Sequence, residues 1–410
     1  MTGAFSSGDR VRCTFAGKEL EGTYITERDG MAVVKLDSGY NMGIPFSACT
    51  LEEHFSITPA KGPAVAQDPS LPPLSIVSTG GTIASRIDYR TGAVTSQFDA
   101  DDILRAIPGL EKIANFSTRV LYTILSENMT PLIWQELARA VYKEIRQGAQ
   151  GVIVTHGTDT MAFSAAALSF MLDTPVPVIF VGSQRSADRP SSDNVMNALC
   201  SASAAVSPLG EVAVVMHETS SDDCCAIHRG TRVRKMHSSR RDAFESLGLP
   251  PIGRVEYPSL EVTLTKDAVR RRETEPALHD ALEERCGLVY FYPGMPPGVL
   301  DAFSGMKGLV IAGTGLGHTS TTLIPGLREL IDDGTTVVMT TQCLFGRVCD
   351  RVYDTGRDLL KAGVIEGEDM LPEAALVKMM WVLGNETDPE KAHALMKQDL
   401  RGELSRRSVL

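Results

Sequence analysis

What this chain of 410 residues lacks narrows its chemistry first. It has no C-x-x-C pair. Its eight cysteines (Cys13, Cys49, Cys200, Cys224, Cys225, Cys286, Cys343 and Cys349) are scattered, which excludes a disulfide framework. The adjacent Cys224–Cys225 pair could bind a metal or change redox state, but ordinary reduced thiols are the simpler reading. The eight histidines form no cluster with ligand spacing, so no metal centre is expected. No apolar run reaches the roughly 18–20 residues of a membrane helix, and the opening MTGAFSSGDR lacks a signal-peptide core. A cytoplasmic location without membrane contact is the expectation. Basic charge is in deficit, with 40 Lys+Arg against 51 Asp+Glu and a net charge of -11. That excludes holding nucleic acid by bulk electrostatics and leaves the task to a local basic patch or a second subunit. Nucleotide fingerprints are missing too. No glycine-rich turn has G-x-G-x-x-G spacing or a Gly-Lys-Ser/Thr ending, so no cofactor is expected in this chain.

What is present is ordinary globular composition, 43% hydrophobic and 22% charged, in a length that fits two to three domains. Within residues 8–53, GDRVRCTF, KELEGTYI, MAVVKL and YNMGIPF are short strand-like segments. Turn signals at Ala16-Gly17, Asp29-Gly30 and Asp37-Ser38-Gly39 separate them. They predict a small all-β, SH3-like barrel domain over 1–55. Five prolines between residues 56 and 75 then mark a semi-rigid linker, 56–73.

From residue 74 strands and helices alternate, which predicts a parallel sheet with helices on both faces. Thr130-Pro131 starts a helix to about Gln147, with Leu132, Leu137, Val141 and Ile145 at helical spacing. GVIVT, VPVIFVG and EVAVVMH read as strands, MAFSAAALSFML and DNVMNALCSASAAV as buried helices. A polar, glycine- and proline-punctuated stretch from 218 to 285 interrupts the pattern, which then resumes through GLVYFY, GLVIAGTG and TTVVMTT. The divisions are an α/β domain carrying the site over 74–260, a smaller α/β domain over 285–385 and a C-terminal tail over 386–410.

Ligands of open α/β sheets bind beyond the C-terminal ends of strands. Two strands end there in threonine-rich turns, Ser78-Thr79-Gly80-Gly81-Thr82 and His156-Gly157-Thr158-Asp159-Thr160. Both could be helix-capping turns. They could equally supply a hydroxyl nucleophile and the N–H groups of an oxyanion hole. A hydroxyl needs a base. Asp159 adjoins Thr158, and Lys235 lies in RGTRVRKMHSSRRDAF, where Arg229, Arg232, Arg234, Arg240 and Arg241 crowd it and could depress its pKa.

STGGTIAS together with VTHGTDTMAFSA resembles the paired signatures of the L-asparaginase/glutaminase family, and RKMHSSRRDAF its lysine-bearing block. The likeness runs from about residue 74 to the mid-380s. A small barrel joined to such a body is further similar to the GatD family, a component of archaeal glutamyl-tRNA(Gln) amidotransferases. The resemblance implies a two-domain asparaginase-like body and assigns Thr82, Thr158, Asp159 and Lys235 as catalytic. Thr82 is the implied nucleophile, and Thr158 sits in the Lys235–Asp159 group that activates water or relays protons. Ser126 and Glu127, in ILSENMT, would hold the substrate α-carboxylate and α-ammonium; Asp159 is also placed for the ammonium. Tyr89, in RIDYRTGAV, corresponds to a tyrosine beside the first threonine. GTGLGHTS, 313–320, corresponds to a segment at a subunit contact, or is a plain glycine turn.

For function, the resemblance implies a glutaminase subunit that frees ammonia from glutamine. A GatE-like partner would use ATP and Mg²⁺ to activate Glu-tRNA(Gln), with this chain a homodimer inside a heterotetramer. A stand-alone cytosolic L-asparaginase uses the same residues but needs neither barrel nor linker. A non-catalytic scaffold would not need all four catalytic residues.

Overall fold

The computed structural model describes residues 5, 6, 8–28, 30–37, 40–54, 65–80, 86, 87, 94, 95, 100–185 and 191–407. The first unit is all β. Strands β1 (Arg10–Phe15), β2 (Lys18–Arg28), β3 (Met31–Leu36), β4 (Asn41–Pro45) and β5 (Cys49–Glu53) pair antiparallel in the order β4-β3-β2-β1-β5. Ala16 and Gly17 both take positive φ, 52° and 76°, the geometry a tight β1–β2 hairpin requires. Alternation does the rest: Val11 and Cys13 point into a core with Tyr24, Ala32, Val34, Ile44 and Cys49, while Arg10 and Arg12 face out to Asp37 and Glu21. Phe5 stacks on Phe46 with ring centroids 4.6 Å apart. These five antiparallel strands form the small all-β unit that precedes the α/β body.

The second unit begins at β6 (Pro73–Ser78). The two-residue strands β7 (Arg86–Ile87) and β8 (Val94–Thr95) and helix α1 (Ala100–Ala106) precede β9 (Asn115–Val120). Then come α2 (Pro131–Arg146), β10 (Val152–Thr155), α3 (Met161–Met171), β11 (Leu172–Asp173), β12 (Val178–Val181), α4 (Asn194–Val206) and β13 (Val212–His217). Strands β9, β6, β10, β12 and β13 lie side by side and parallel. The middle ones are buried on both faces, hence the unbroken apolar runs of VIVT and VIFV. Thr130 caps α2, its Oγ1 accepting from Ile133 N at 3.3 Å, and Pro131 fills the first turn. The buried face is Trp134, Leu137, Ala138, Val141 and Ile145. Leu132, expected on that face, is exposed in the first turn.

The polar stretch from 218 onward is not a break in the sheet. β14 (Cys224–Arg229), β17 (Gly253–Glu256) and β18 (Val262–Leu264) extend it antiparallel, giving the order β18-β17-β14-β13-β12-β10-β6-β9. Hairpin links need no crossover helix, which is why the strand–helix alternation vanishes here. Between them β15 (Val233–Lys235) and β16 (Phe244–Ser246) pair as a separate ribbon, and β19 (Ala277–Leu278) pairs with β11.

A four-stranded parallel sheet, β20 (Cys286–Tyr290), β21 (Gly308–Gly313), β22 (Thr336–Thr341) and β23 (Ile365–Glu366), forms the last layer with α5 (Ile324–Asp332) and α6 (Asp354–Ala362). Helix α7 (Pro372–Asn385) packs on both α3 and this sheet. α3 is therefore buried nearly all round, with Phe170 stacked on Trp381. After α8 (Pro389–Lys397) the chain folds back, and Glu403 and Leu404 are buried. Within 386–407, Ala392, Met396, Glu403 and Leu404 are buried against the body.

Candidate active site

Strands β6 and β10 are neighbours in register Ser78↔Thr155, so their C-terminal turns open on the same rim. Thr79 N and Oγ1 both donate to Thr155 O at 3.0 Å, and Thr155 Oγ1 donates to Ser78 Oγ at 2.9 Å. These bonds lock the two turns together. Gly80 has φ +116°, and a Cβ there would lie 2.6 Å from Ile124 O. Only glycine lets the segment after β9 cross this closely. That segment is tied down by Leu121 N to Ser78 O and Ile124 N to Thr79 O, at 2.8 and 3.2 Å.

The same crossing delivers Ser126 and Glu127 on a single 3-10 turn, Ser126–Asn128. Ser126 is buried against Gly157, where an added Cβ would stand 2.7 Å from Ser126 Cβ. Thr160 Oγ1 holds Ser126 O at 2.6 Å. Glu127 faces solvent at the mouth.

Lys235 reaches the rim from the end of β15. Its Nζ donates to Thr158 Oγ1 and to Asp159 Oδ1, each at 2.8 Å. The Lys235 side chain is 13% exposed and that of Asp159 70%, so the ammonium is sunk below a carboxylate at the surface. With the ammonium donating to the Thr158 oxygen, the threonine's own O–H points elsewhere, to a substrate group or water. A neutral Lys235 could take that proton, with Asp159 stabilising the charged form.

The arginines of this run are paired. Each has its own carboxylate: Arg229 with Glu211 (2.8 Å), Arg232 with Asp369 (3.1 Å), Arg234 with Glu373 (3.2 Å), Arg240 with Asp242 (2.6 Å) and Arg241 with Asp222. Lys235 is likewise paired, with Asp159.

Two supports escaped sequence reasoning. His156 is buried and in hydrogen-bond contact with Gly157 O through Nδ1 at 2.6 Å, and burial pushes its imidazole pKa down to about 4. It is a neutral prop for the Gly157 turn. Asp193 reads as a helix cap but makes no cap bond. Its buried carboxylate instead accepts from Ser183 Oγ, Gln184 N, Arg185 N and Asn197 Nδ2, all at 2.9 Å. That holds the turn after β12, whose Gly182 comes close to the Thr158 methyl group. The spacing of Asp193 and Asn197, four apart at a helix start, is the signal that could have flagged it.

Lys235 is thus in direct contact with Thr158 and Asp159, and Ser126 packs against the adjoining Gly157 and Thr160. Thr82 and Tyr89 lie outside the described residues, and Thr79-Gly80 is the last described part of the first turn. His318 lies 3.9 Å from Asp350 and edge-on to Tyr353 in the C-terminal layer. Cys224 and Cys225 are buried free thiols, and burial pushes Cys224 up to about 12, which leaves it inert.

Three family descriptions match the chain: Asparaginase, N-terminal, over residues 73–269; Glutaminase/Asparaginase C-terminal domain over 285–396; and GatD N-terminal domain over 5–52. Similar curated proteins include the glutamyl-tRNA(Gln) amidotransferase GatD chain of Methanosarcina mazei, 55% identical over 98% of both chains. That of Halobacterium salinarum is 54% identical over 98% of both, and that of Archaeoglobus fulgidus 54% over 97% of this chain and 95% of the relative. Among solved structures, the thermostable L-asparaginase from Thermococcus kodakarensis superposes with TM-score 0.73 at 33% identity, covering 82% of this chain and 100% of its own. L-asparaginase I from Vibrio cholerae gives 0.70 at 29%, covering 82% and 99%.

Proposed function

The chain belongs to the GatD family of glutamyl-tRNA(Gln) amidotransferase components, which are asparaginase-like proteins, and on that premise we propose that it is the glutaminase subunit of a tRNA-dependent amidotransferase. It hydrolyses glutamine to glutamate, and the ammonia released converts Glu-tRNA(Gln) to Gln-tRNA(Gln). The observation that carries this reading is the contact of Lys235 with both Thr158 and Asp159 in the turn that follows β10. A chain retaining that contact is built for amide chemistry, which counts against a scaffold. The asparaginase from Thermococcus kodakarensis is covered completely yet leaves 18% of this chain unmatched. Residues 5–52 carry a match of their own to the GatD N-terminal domain, which disfavours a stand-alone asparaginase.

In the reaction we assign, the Thr82 hydroxyl attacks the glutamine side-chain amide carbon. Backbone N–H groups of the glycine turns receive the developing oxyanion. The C–N bond breaks, a proton reaches the leaving nitrogen, and ammonia departs from an acyl-threonine. Thr158, through Lys235, then takes a proton from the water that hydrolyses the ester. Ser126 holds the α-carboxylate, Glu127 and Asp159 the α-ammonium, and Tyr89 is assigned to assist Thr82. A GatE-like partner binds ATP and Mg²⁺, activates Glu-tRNA(Gln) and receives the ammonia; a homodimer of this chain sits in a cytoplasmic heterotetramer.

The test is Thr82→Ala in the assembled complex. Ammonia from glutamine should disappear, while ATP-dependent amidation from free ammonium persists. Loss of both activities would make Thr82 structural. Strong asparagine turnover by the isolated chain, equal to that with partner present, would favour the stand-alone asparaginase.

A further inference from the structure

Lys235 must keep its Nζ within 2.8 Å of two acceptors, yet it ends a strand of only three residues that pairs, among the described residues, with β16 alone. A two-stranded ribbon of this length is marginal by itself. Something else must hold it, and the bonds around Arg232 show what.

Arg232 immediately precedes β15 and its side chain is 1% exposed. All three guanidinium nitrogens are engaged: Nε donates to Gly402 O at 2.8 Å, Nη1 to Asp369 O at 3.0 Å, and Nη2 to Asp369 Oδ2 at 3.1 Å. Thr231 Oγ1 adds a bond to Arg401 O at 3.0 Å. Asp369 in turn accepts from Ser405 N at 3.0 Å and from Ser405 Oγ. Residues 398–405 are themselves folded around a second buried pair. Glu403 meets Lys378 Nζ at 2.6 Å and accepts from Leu400 N and Arg401 N, and Lys378 also donates to Met396 O and Gln398 O. On the other flank of the ribbon, Arg234 pairs with Glu373 at 3.2 Å in the first turn of α7, the helix that carries Lys378.

We propose that the C-terminal segment 398–405 positions Lys235, and that Arg232 is the positioning residue through which it does so. The match to the asparaginase C-terminal domain ends at residue 396, so the 398–405 segment that grips Arg232 lies beyond it. Buried pairs suit the task, because breaking one strands an unpaired charge and the geometry is therefore stiff. A displacement of about 1 Å at a catalytic group can cost on the order of 10²-fold in rate. The inference rests on the reading of Lys235 given above.

The test uses the full chain in complex with its partner. The double variant Arg232→Met with Asp369→Leu removes both charges of the buried pair together, and Arg347, which also lies 3.7 Å from Asp369, keeps Glu368 at 3.4 Å, so no buried charge is left without a partner. The expected result is a glutaminase kcat lowered about 10- to 10²-fold with KM within about twofold. The limb of the kcat–pH profile that responds to Lys235 should move as well, at nearly unchanged Tm. Wild-type kcat and pH profile in the folded double variant overturn the proposal. Should it not fold, Ser405→Ala leaves both ion pairs in place. There a kcat loss of roughly three- to tenfold at constant KM is expected, and wild-type kcat overturns the proposal. Lys235→Ala, measured in parallel, separates the two failures. If it retains activity, the reading of Lys235 falls; if it is dead while the Arg232 variant is normal, only the positioning role falls.

Discussion

Gly157→Ala is the sharpest probe of the site, because its effect can be worked from a few distances. The added methyl carbon would lie 2.7 Å from Ser126 Cβ, 2.9 Å from its Oγ and 3.3 Å from its N. Ordinary van der Waals contact needs a separation greater by about 0.7 Å. Neither side can yield freely. Ser126 is buried and its carbonyl is held by Thr160, while the Gly157 carbonyl is held by buried His156 and the strand just before it, β10, is flanked by β6 and β12. Gly157 is not among the glycines with positive φ, so the penalty is steric rather than conformational. Overpacking of this kind costs about 1–3 kcal/mol of stability. The catalytic cost should be larger in proportion. Ser126 and Thr158 would move apart by several tenths of an ångström, and kcat/KM for glutamine should drop on the order of 10- to 10²-fold. Steady-state ammonia release by the complex measures this, with ammonium-supported amidation as the internal control, expected unchanged. A kcat/KM within threefold of wild type, with Tm also unchanged, would refute the packing argument and with it the place of Ser126 in the site.

Two further outcomes follow from the geometry. Lys235→Ala should lower glutaminase kcat by on the order of 10²–10⁴. Because Asp159 is largely exposed, losing the pair should cost no more than about 1 kcal/mol in urea unfolding; a rate loss below tenfold would return Lys235 to an ordinary loop role. Asp350→Asn tests a buried acid. Burial, then Glu366, raises its carboxyl from the usual range to about 7, so the folded state binds the proton more tightly than the unfolded one. Its stability contribution is present at low pH and lost as pH rises through 7. The variant should therefore match wild type near pH 4 and be more stable at pH 8, by on the order of 4 kcal/mol. Equal urea midpoints at pH 8 would contradict the assignment.

Much of the scaffold was legible in the chain because its causes are local. The Ala16-Gly17 hairpin, the Thr130-Pro131 helix start and the unbroken apolar runs of the central strands follow from dihedral and burial preferences of adjacent residues. The antiparallel extension through β14, β17 and β18 was not legible, since its outer strands are short and partly polar and only their neighbours select the pairing. Leu132 kept the helical spacing yet faces solvent, because the period names a face but not where along the helix the contact begins.

For the site, residue chemistry alone determined the two threonine turns at strand ends and the glycines that let other backbone pass close to them. What the arginine run does was decided only by tertiary structure. Five cations that look like a field around Lys235 are each neutralised by a carboxylate, two of them more than a hundred residues away, Asp369 and Glu373. Lys235 itself meets Thr158 and Asp159 across 77 and 76 positions of chain. Hydrogen bonds and ion pairs act over a few ångströms, and which residues come that close is settled by how sheets and helices pack, a long-range outcome that spacing along the chain does not encode.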